Sequence, residues 1–174
     1  KSNQILDDTI ILKPIEENPI DSLWKKKPIK KINRTVLLDE KYSGLSSTLK
    51  RMQVAKLLKK NNIDGMLITS LDSICWLLNI RGRDLKYSPI PHCYILISKD
   101  KKISFFCDLR KMSLSLKKYL NKIQVKEIVQ IGKILSQIRD KKFIIDRNTC
   151  SIYFEKLIFR NNKILDFIDP IYGL

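Results

Sequence analysis

The first regular pattern of apolar and polar positions spans residues 46–60 and has the period of an α-helix. Ser46 or Ser47 stands where a helix cap is expected. The predicted buried side of this helix consists of Met52, Val54, Ala55 and Leu58. The short apolar run at residues 66–69 follows and predicts a buried strand. A helix followed by a buried strand is the first sign of a layered α/β arrangement.

The same two patterns alternate along the rest of the chain. A short helix is predicted over residues 74–78, with Asp72 or Ser73 as its cap. Residues 94–97 and 103–106, joined by a polar turn, predict an antiparallel hairpin. The remaining predicted elements are helices at 112–123, 131–138 and 153–158 and strands at 125–129, 143–145 and 164–168. Together these elements predict an α/β fold in which a mixed β-sheet is flanked by helices.

Residues 1–40 follow a different pattern, because three prolines interrupt any long helix or central strand there. Ile10–Leu12 is the candidate strand of this segment, and Trp24 is its large apolar anchor, predicted to dock on a neighbouring surface. We therefore predict that residues 1–40 are the tail of a preceding domain with a connector, and that residues 41–174 form the α/β domain.

The chain is strongly basic, with a net charge of +16 from 34 Lys and Arg against 18 Asp and Glu. Such an excess is typical of proteins that bind nucleic acids or anionic surfaces. However, the lysines are dispersed, and the accompanying bias toward Ile and Asn is the bias that A+T-rich codons produce. Dispersed charge favours an ordinary solvated surface. A basic nucleic-acid-binding module stays as an alternative, and the sequence has no apolar run long enough for a membrane span.

The sequence has few of the residues that metal or nucleotide chemistry requires. The four cysteines, Cys75, Cys93, Cys107 and Cys150, are widely separated. Without closely spaced ligand pairs, and with His92 as the one histidine, the pattern predicts buried, reduced thiols and no zinc site. The five glycines are isolated, which argues against a phosphate-binding loop.

Three aspartates near predicted strand ends, Asp64, Asp108 and Asp146, raise the alternative of a two-metal nuclease. Such a centre needs several carboxylates that converge on one point. Single aspartates beside turns more often act as caps or turn formers, so we predict no metal site and no catalytic residue in this chain.

The strongest candidate for a functional segment is the loop predicted between Asn79 and Pro91, because long loops inside compact domains often carry function. It contains Arg81, Arg83, Asp84 and Tyr87, which we predict as a substrate-access loop. The arginines are suited to clamp a carboxylate or to line a neighbouring active site. An internal Arg–Asp pair that fixes the loop is the alternative, and the sequence leaves both open.

The same region carries a family resemblance. Residues 71–84, LDSICWLLNIRGRD, closely resemble the pattern L-D-x-I-A-W-L-x-N-x-R-G-x-D of three-domain Xaa-Pro aminopeptidases, the aminopeptidase P family. Cys75 stands where that pattern has a small Ala. Supporting similarities lie at residues 18–28, 42–50 and 169–171, with Lys27 in place of an Arg.

The resemblance implies a fold of the creatinase/prolidase N-terminal type, which is ribonuclease H-like, for the middle domain of such an enzyme. It implies a parent protein that removes the N-terminal residue preceding proline. Chemistry in that family belongs to a separate C-terminal pita-bread domain, where two Asp, one His and two Glu hold two divalent ions, usually manganese. None of those ligand motifs occurs in this chain.

By the same resemblance, this non-catalytic domain is expected to shape access to the active site of the catalytic domain. The expected partners are that domain, proline-containing peptides and a second copy of the cytoplasmic parent in a homodimer. A catalytically dead pita-bread scaffold protein is the alternative, since relatives of this kind also serve as binding proteins.

Overall fold

The computed structural model describes Lys13, Ile15, residues 17–26, Pro28 and residues 31–174. The candidate strand Ile10–Leu12 lies outside the described residues. The chain divides into two compact units, residues 1–31 and residues 32–174. The division that the sequence predicts at residue 40 stays a prediction.

The first unit contains helix α1 (Pro19–Leu23). The side chain of Asn18 caps this helix by accepting a hydrogen bond of 3.0 Å from the backbone N–H of Ile20. Trp24 follows the helix and is 49% exposed. Its docking on a neighbouring surface stays a prediction.

The second unit contains the α/β domain. Its strands are β1 (Val36–Leu37), β2 (Gly65–Ile68), β3 (Ile80–Arg81), β4 (Cys93–Ser98), β5 (Ile103–Cys107), β6 (Gln124–Glu127), β7 (Lys142–Ile145) and β8 (Lys163–Asp166). Its helices are α2 (Glu40–Ser43), α3 (Ser47–Lys60), α4 (Leu71–Leu78), α5 (Leu114–Tyr119), α6 (Ile131–Gln137) and α7 (Ile152–Phe159). In the described part of the chain, no helix combines the length and apolar character that a membrane crossing requires.

Six of the described strands form one mixed sheet in the order β6-β5-β4-β2-β7-β8. β4 is antiparallel to both of its neighbours, β2 and β5. The pairs β5–β6, β2–β7 and β7–β8 are parallel. The mixed sheet and the β4–β5 hairpin that the sequence predicts are both confirmed.

Side chains alternate between the two faces of this sheet, and helices cover both faces. In β2, Met66 and Ile68 belong to one buried cluster, which includes side chains from α3, α4 and α5. Leu67, between them, belongs to the other cluster, which includes side chains from α6 and α7. Burial on both faces explains why β2 is a continuous apolar run in the sequence.

Some details of the sequence-based prediction are wrong. Met52 is 45% exposed and does not belong to the buried side of α3. α4 begins at Leu71, three residues before the predicted start, with Ser70 at its N-cap. Met112 lies outside a helix, because a 3₁₀ turn over residues 109–111 precedes α5. The segment predicted as loop after Asn79 contains β3, which pairs with β1 as a separate two-stranded antiparallel ribbon.

Candidate functional site

The candidate loop begins at Asn79, which is held by a buried lysine. Asn79 has a left-handed backbone conformation, with φ of 51°, and ends α4. Lys50, on α3, donates hydrogen bonds to the Trp76 carbonyl (3.1 Å) and to Oδ1 of Asn79 (2.6 Å). Nδ2 of Asn79 in turn donates to the Leu45 carbonyl at 2.9 Å. The pKa of Lys50 is lowered, first by burial and second by the positive charge of Arg81.

Backbone pairing holds the next part of the loop. β3 pairs with β1, in the register Val36 opposite Arg81. The N–H of Gly82 donates to the Pro89 carbonyl at 3.0 Å, which draws the two ends of the loop together. A Cβ at Gly82 would lie 2.6 Å from the backbone nitrogen of Pro91, so the close approach requires glycine.

Asp84 is held in the loop by an ion pair with Lys111. The two side chains are only 4% and 8% exposed, respectively. Oδ2 of Asp84 also accepts a hydrogen bond of 2.7 Å from the backbone N–H of His92. Among the described residues, Asp84 therefore pairs with Lys111 and not with Arg81 or Arg83, as the sequence alternative of an internal Arg–Asp pair had it.

The other candidate side chains differ in how far they are fixed. Nη1 of Arg81 donates to the carbonyl oxygens of Cys75 (3.2 Å) and Ile80 (2.8 Å). Arg83 is exposed, and its own carbonyl accepts a hydrogen bond of 2.7 Å from Nδ2 of Asn33. Tyr87 is 88% exposed at the tip of the loop. The loop thus has a rigid base that presents exposed polar side chains.

Arg81 and Arg83 line a cavity of about 430 Å³ together with a third arginine, Arg34. We call it the arginine cavity; its described lining residues are Asn33, Arg34, Val36, Arg81, Gly82, Arg83 and Pro89. Sequence reasoning missed Arg34, because the β1–β3 ribbon brings together segments that are fifty residues apart at the Asn33–Arg83 hydrogen bond. A local sequence pattern has no signal for such a pairing.

A second polar cluster lies at the carboxyl end of β7. Oδ2 of Asp146 accepts a hydrogen bond of 3.0 Å from the N–H of Asp169, and Oδ1 of Asp169 accepts one of 2.9 Å from the N–H of Ile171. Oδ2 of Asp169 is buried and accepts no hydrogen bond of normal geometry from a described residue, and the Ser73 side chain only partly offsets the effect of burial on the pKa of this carboxyl. Burial raises the pKa of this carboxyl above its ordinary value of 3.8.

Asp169→Asn is expected to stabilise the chain at neutral pH, with a rise in Tm of about 2–4 °C. The folded pKa of Asp169 is raised, so between the ordinary and the raised pKa the folded state binds more protons than the unfolded state. The free energy of unfolding of the wild-type chain therefore falls as pH rises through that interval. Asparagine does not ionise, so this pH-dependent loss of stability should be absent in the variant. Thermal melts of both proteins between pH 3.5 and 7 measure this difference.

Asp100→Asn is the control for this experiment, because Asp100 is exposed. It should leave both the Tm at neutral pH and its pH dependence nearly unchanged. If the two variants have the same Tm and the same pH dependence of Tm, burial of the Asp169 carboxyl does not reduce the stability of the chain.

The three aspartates of the nuclease alternative do not converge. Asp64 precedes β2 and pairs with Lys99 at 2.8 Å. Asp108 follows β5, and hydrogen bonding from Arg110 lowers its pKa to about 2. Asp146 follows β7, which is separated from β5 by two strands of the sheet. Among the residues that the structure describes, no group of three or more His, Cys, Asp or Glu side chains is arranged to hold a metal ion.

The four cysteines are free and buried, as the sequence predicts. Burial raises the pKa of each thiol, to about 11 for Cys75 and Cys150 and to about 12 for Cys107. Cys93 is raised well above its ordinary value by the same cause. Thiols in this state are poor nucleophiles and serve as small apolar side chains of the core.

Comparison with known proteins identifies the fold. The sequence matches the creatinase/prolidase N-terminal domain over residues 26–174. The chain belongs to this family. The resemblance of residues 71–84 to Xaa-Pro aminopeptidases is thereby confirmed at the level of the family, and so is the fold type that it implies.

Relatives of this creatinase/prolidase N-terminal domain include Xaa-Pro aminopeptidase ApepP of Drosophila melanogaster, 30% identical over 169 residues. That match covers 92% of this chain and 27% of the relative. Aminopeptidase P1 of Lotus japonicus is 32% identical over 118 residues, which are 67% of this chain and 18% of the relative. The domain thus spans about a quarter or less of the length of these two relatives.

Solved structures show the same fold. The X-prolyl aminopeptidase of Caenorhabditis elegans, described as a cytosolic enzyme with a di-nuclear active site, gives a TM-score of 0.79 at 22% identity. The match covers 88% of this chain and 26% of that structure. The isolated N-terminal domain of the cytoplasmic peptidase PepQ from Mycobacterium tuberculosis gives a TM-score of 0.52 at 12% identity, covering 72% of this chain and 97% of that one. That structure contains the N-terminal domain without the rest of its chain.

Proposed function

We propose that this domain is a non-catalytic part of a longer, metal-dependent Xaa-Pro aminopeptidase. The proposal rests on the match to the Drosophila relative. The aligned region is 92% of this chain but only 27% of the length of that relative. The remaining length of such a protein is sufficient for a separate catalytic domain. The parent would release the N-terminal residue of peptides whose second residue is proline.

The metal centre of that parent belongs, in this proposal, to its catalytic domain. Two divalent ions, which we propose to be manganese, would activate a water molecule there for attack on the carbonyl before the proline. The described part of this chain has no suitable ligand group, so no step of the reaction is assigned to its residues. We also propose a cytoplasmic, homodimeric parent; the Caenorhabditis elegans structure is described as a cytosolic enzyme.

The role of the domain itself would be to restrict access to the catalytic pocket through the candidate loop. The rigid base of the loop supports this role, because binding segments are commonly irregular chain held by a fixed scaffold. Exposed Tyr87 and Arg83 would contact the substrate or the rim of the pocket. Arg81 would position the loop through its bonds to the carbonyls of Cys75 and Ile80.

A peptidase assay on Xaa-Pro-Pro peptides of increasing length, with added manganese, tests this proposal. Three proteins are compared: the 174-residue chain, the full-length parent and the parent with Tyr87→Ala. The chain should be inert and the parent active. Tyr87→Ala should change kcat/KM by about tenfold for longer peptides without a change in Tm, because Tyr87 is 88% exposed.

Tyr42→Ala, an exposed tyrosine on α2, is the matched control and should leave kcat/KM unchanged. Activity of the chain alone would refute the non-catalytic role. An inert parent would favour a scaffold protein without catalysis. If Tyr87→Ala and Tyr42→Ala behave alike, the loop does not govern access.

A further inference from the structure

We propose that the arginine cavity binds the C-terminal carboxylate of short peptides. This inference rests on the proposed function, in which the parent handles peptides, and it adds a specific binding site to it. Arg34, Arg81 and Arg83 would supply the positive charge, and Val36 and Pro89 would contact the last side chain of the peptide.

Within the described part of the chain, no acidic residue of the lining balances the charge of the cavity. Three arginines line it, and none of its described lining residues is acidic. The guanidinium groups of Arg34 and Arg83 form no hydrogen bond or ion pair within the described part of the chain, and Arg81 uses only Nη1. Guanidinium groups bind carboxylates through paired N–H donors, and such charge-assisted bonds are about twice as strong as neutral ones. The cavity therefore favours an anion with planar oxygen acceptors.

The size and the apolar part of the cavity favour a peptide end over a small inorganic ion. Its volume of about 430 Å³ lies in the range of small-molecule sites. Val36 is 54% exposed and lies on the same lining as Pro89, which offers an apolar contact beside the arginines. Sites for single-stranded nucleic acid stack bases on aromatic side chains, and the described lining contains none.

The walls of the cavity are held in place before any ligand arrives. The β1–β3 ribbon fixes Val36 opposite Arg81. The Asn33–Arg83 hydrogen bond, 2.7 Å long, ties the segment before β1 to the loop. Because these walls are already ordered, the protein loses little conformational entropy when a ligand binds. This favours recognition of a short, flexible peptide, which itself loses entropy on binding.

An NMR titration of the ¹⁵N-labelled 174-residue chain tests the site directly. The probes are the tripeptide Gly-Pro-Leu as free acid and as C-terminal amide, together with inorganic phosphate. The free acid should shift the amide signals of residues 33–36 and 81–83, with a Kd at least about tenfold lower than that of the amide. Arg34→Gln and Arg83→Gln should each raise the Kd of the free acid at least about fivefold.

Arg160→Gln is the matched control, because Arg160 is an exposed arginine that does not line the cavity, and it should leave the Kd unchanged. Equal binding of acid and amide would overturn the proposal, as would equal effects of the three arginine variants. Phosphate binding as tight as that of the free acid would overturn the preference for peptides. The titration needs no peptidase activity, so an inert parent would refute the proposed function without altering this result.

Discussion

Asp84→Ala is expected to lower the free energy of unfolding of the chain by about 3–5 kcal/mol, the cost typical of removing one partner from a buried ion pair. The substitution leaves the Lys111 ammonium, whose side chain is 8% exposed, without the carboxylate that it contacts. It also removes the acceptor of the His92 N–H. Urea unfolding followed by circular dichroism at neutral pH measures the loss.

Two further variants make this result specific. The double variant Asp84→Ala/Lys111→Met should lose less stability than the sum of the single losses, because no uncompensated ammonium remains. Asp108→Ala is the control at a more exposed ion pair: its partner Arg110 is 70% exposed, and Asp108 also caps the 3₁₀ turn, so its loss should be about 1–2 kcal/mol. A loss at Asp84 no greater than that at Asp108 would show that the buried pair does not fix the loop.

Lys50→Met is expected to cost about 2–4 kcal/mol of stability, because it removes the ammonium donor of Oδ1 of Asn79 and leaves the Trp76 carbonyl with the Asn79 N–H at 3.4 Å. Methionine retains the apolar length of the side chain, so the loss reports on the ammonium group. The variant should also lose the contact in which Nζ lies 4.5 Å from the centre of the Trp76 ring. Hydrogen exchange of residues 79–84 should quicken more than exchange in β4.

The pH dependence of the Lys50 contribution has a definite sign. The folded pKa is lowered below the ordinary 10.5, so in the interval between them the unfolded state binds more protons. The stability of the wild-type chain should therefore rise with pH in that interval, and this rise should be smaller in Lys50→Met. Lys56→Met, on the exposed side of α3, should change stability by less than about 0.5 kcal/mol. Similar losses at both lysines would contradict the role of Lys50.

Much of the α/β architecture could be predicted because its elements follow local rules. The strands β2, β4 and β5 are short apolar runs. A helix precedes β2 and a short polar turn joins β4 to β5, so the sequence correctly predicts all three as strands. The start of α4 was misplaced, since Asp72 has the composition of a cap but lies in the first turn, while Ser70 is the cap residue. Ser and Asp are both common N-cap residues, so only the backbone conformation shows which of the two begins the helix.

The candidate site was harder to predict, because its geometry depends on contacts between distant segments. The sequence placed Arg81 and Arg83 on a candidate loop, but β1 and β3 have two residues each and show no periodicity. The pairing of Asp84 with Lys111 and the presence of Arg34 follow from tertiary packing alone. The spacing of apolar residues in a sequence indicates helices and strands. It does not indicate which distant side chains come into contact.

The order of the main sheet has a consequence for self-association. Its two edges, β6 and β8, are only four residues long each and carry charged side chains, among them Lys126, Glu127, Lys163 and Asp166. A long, uncharged edge would accept a strand from a second molecule through its open N–H and C=O groups. Short, charged edges oppose that addition, so the six strands can terminate in water without recruiting another chain.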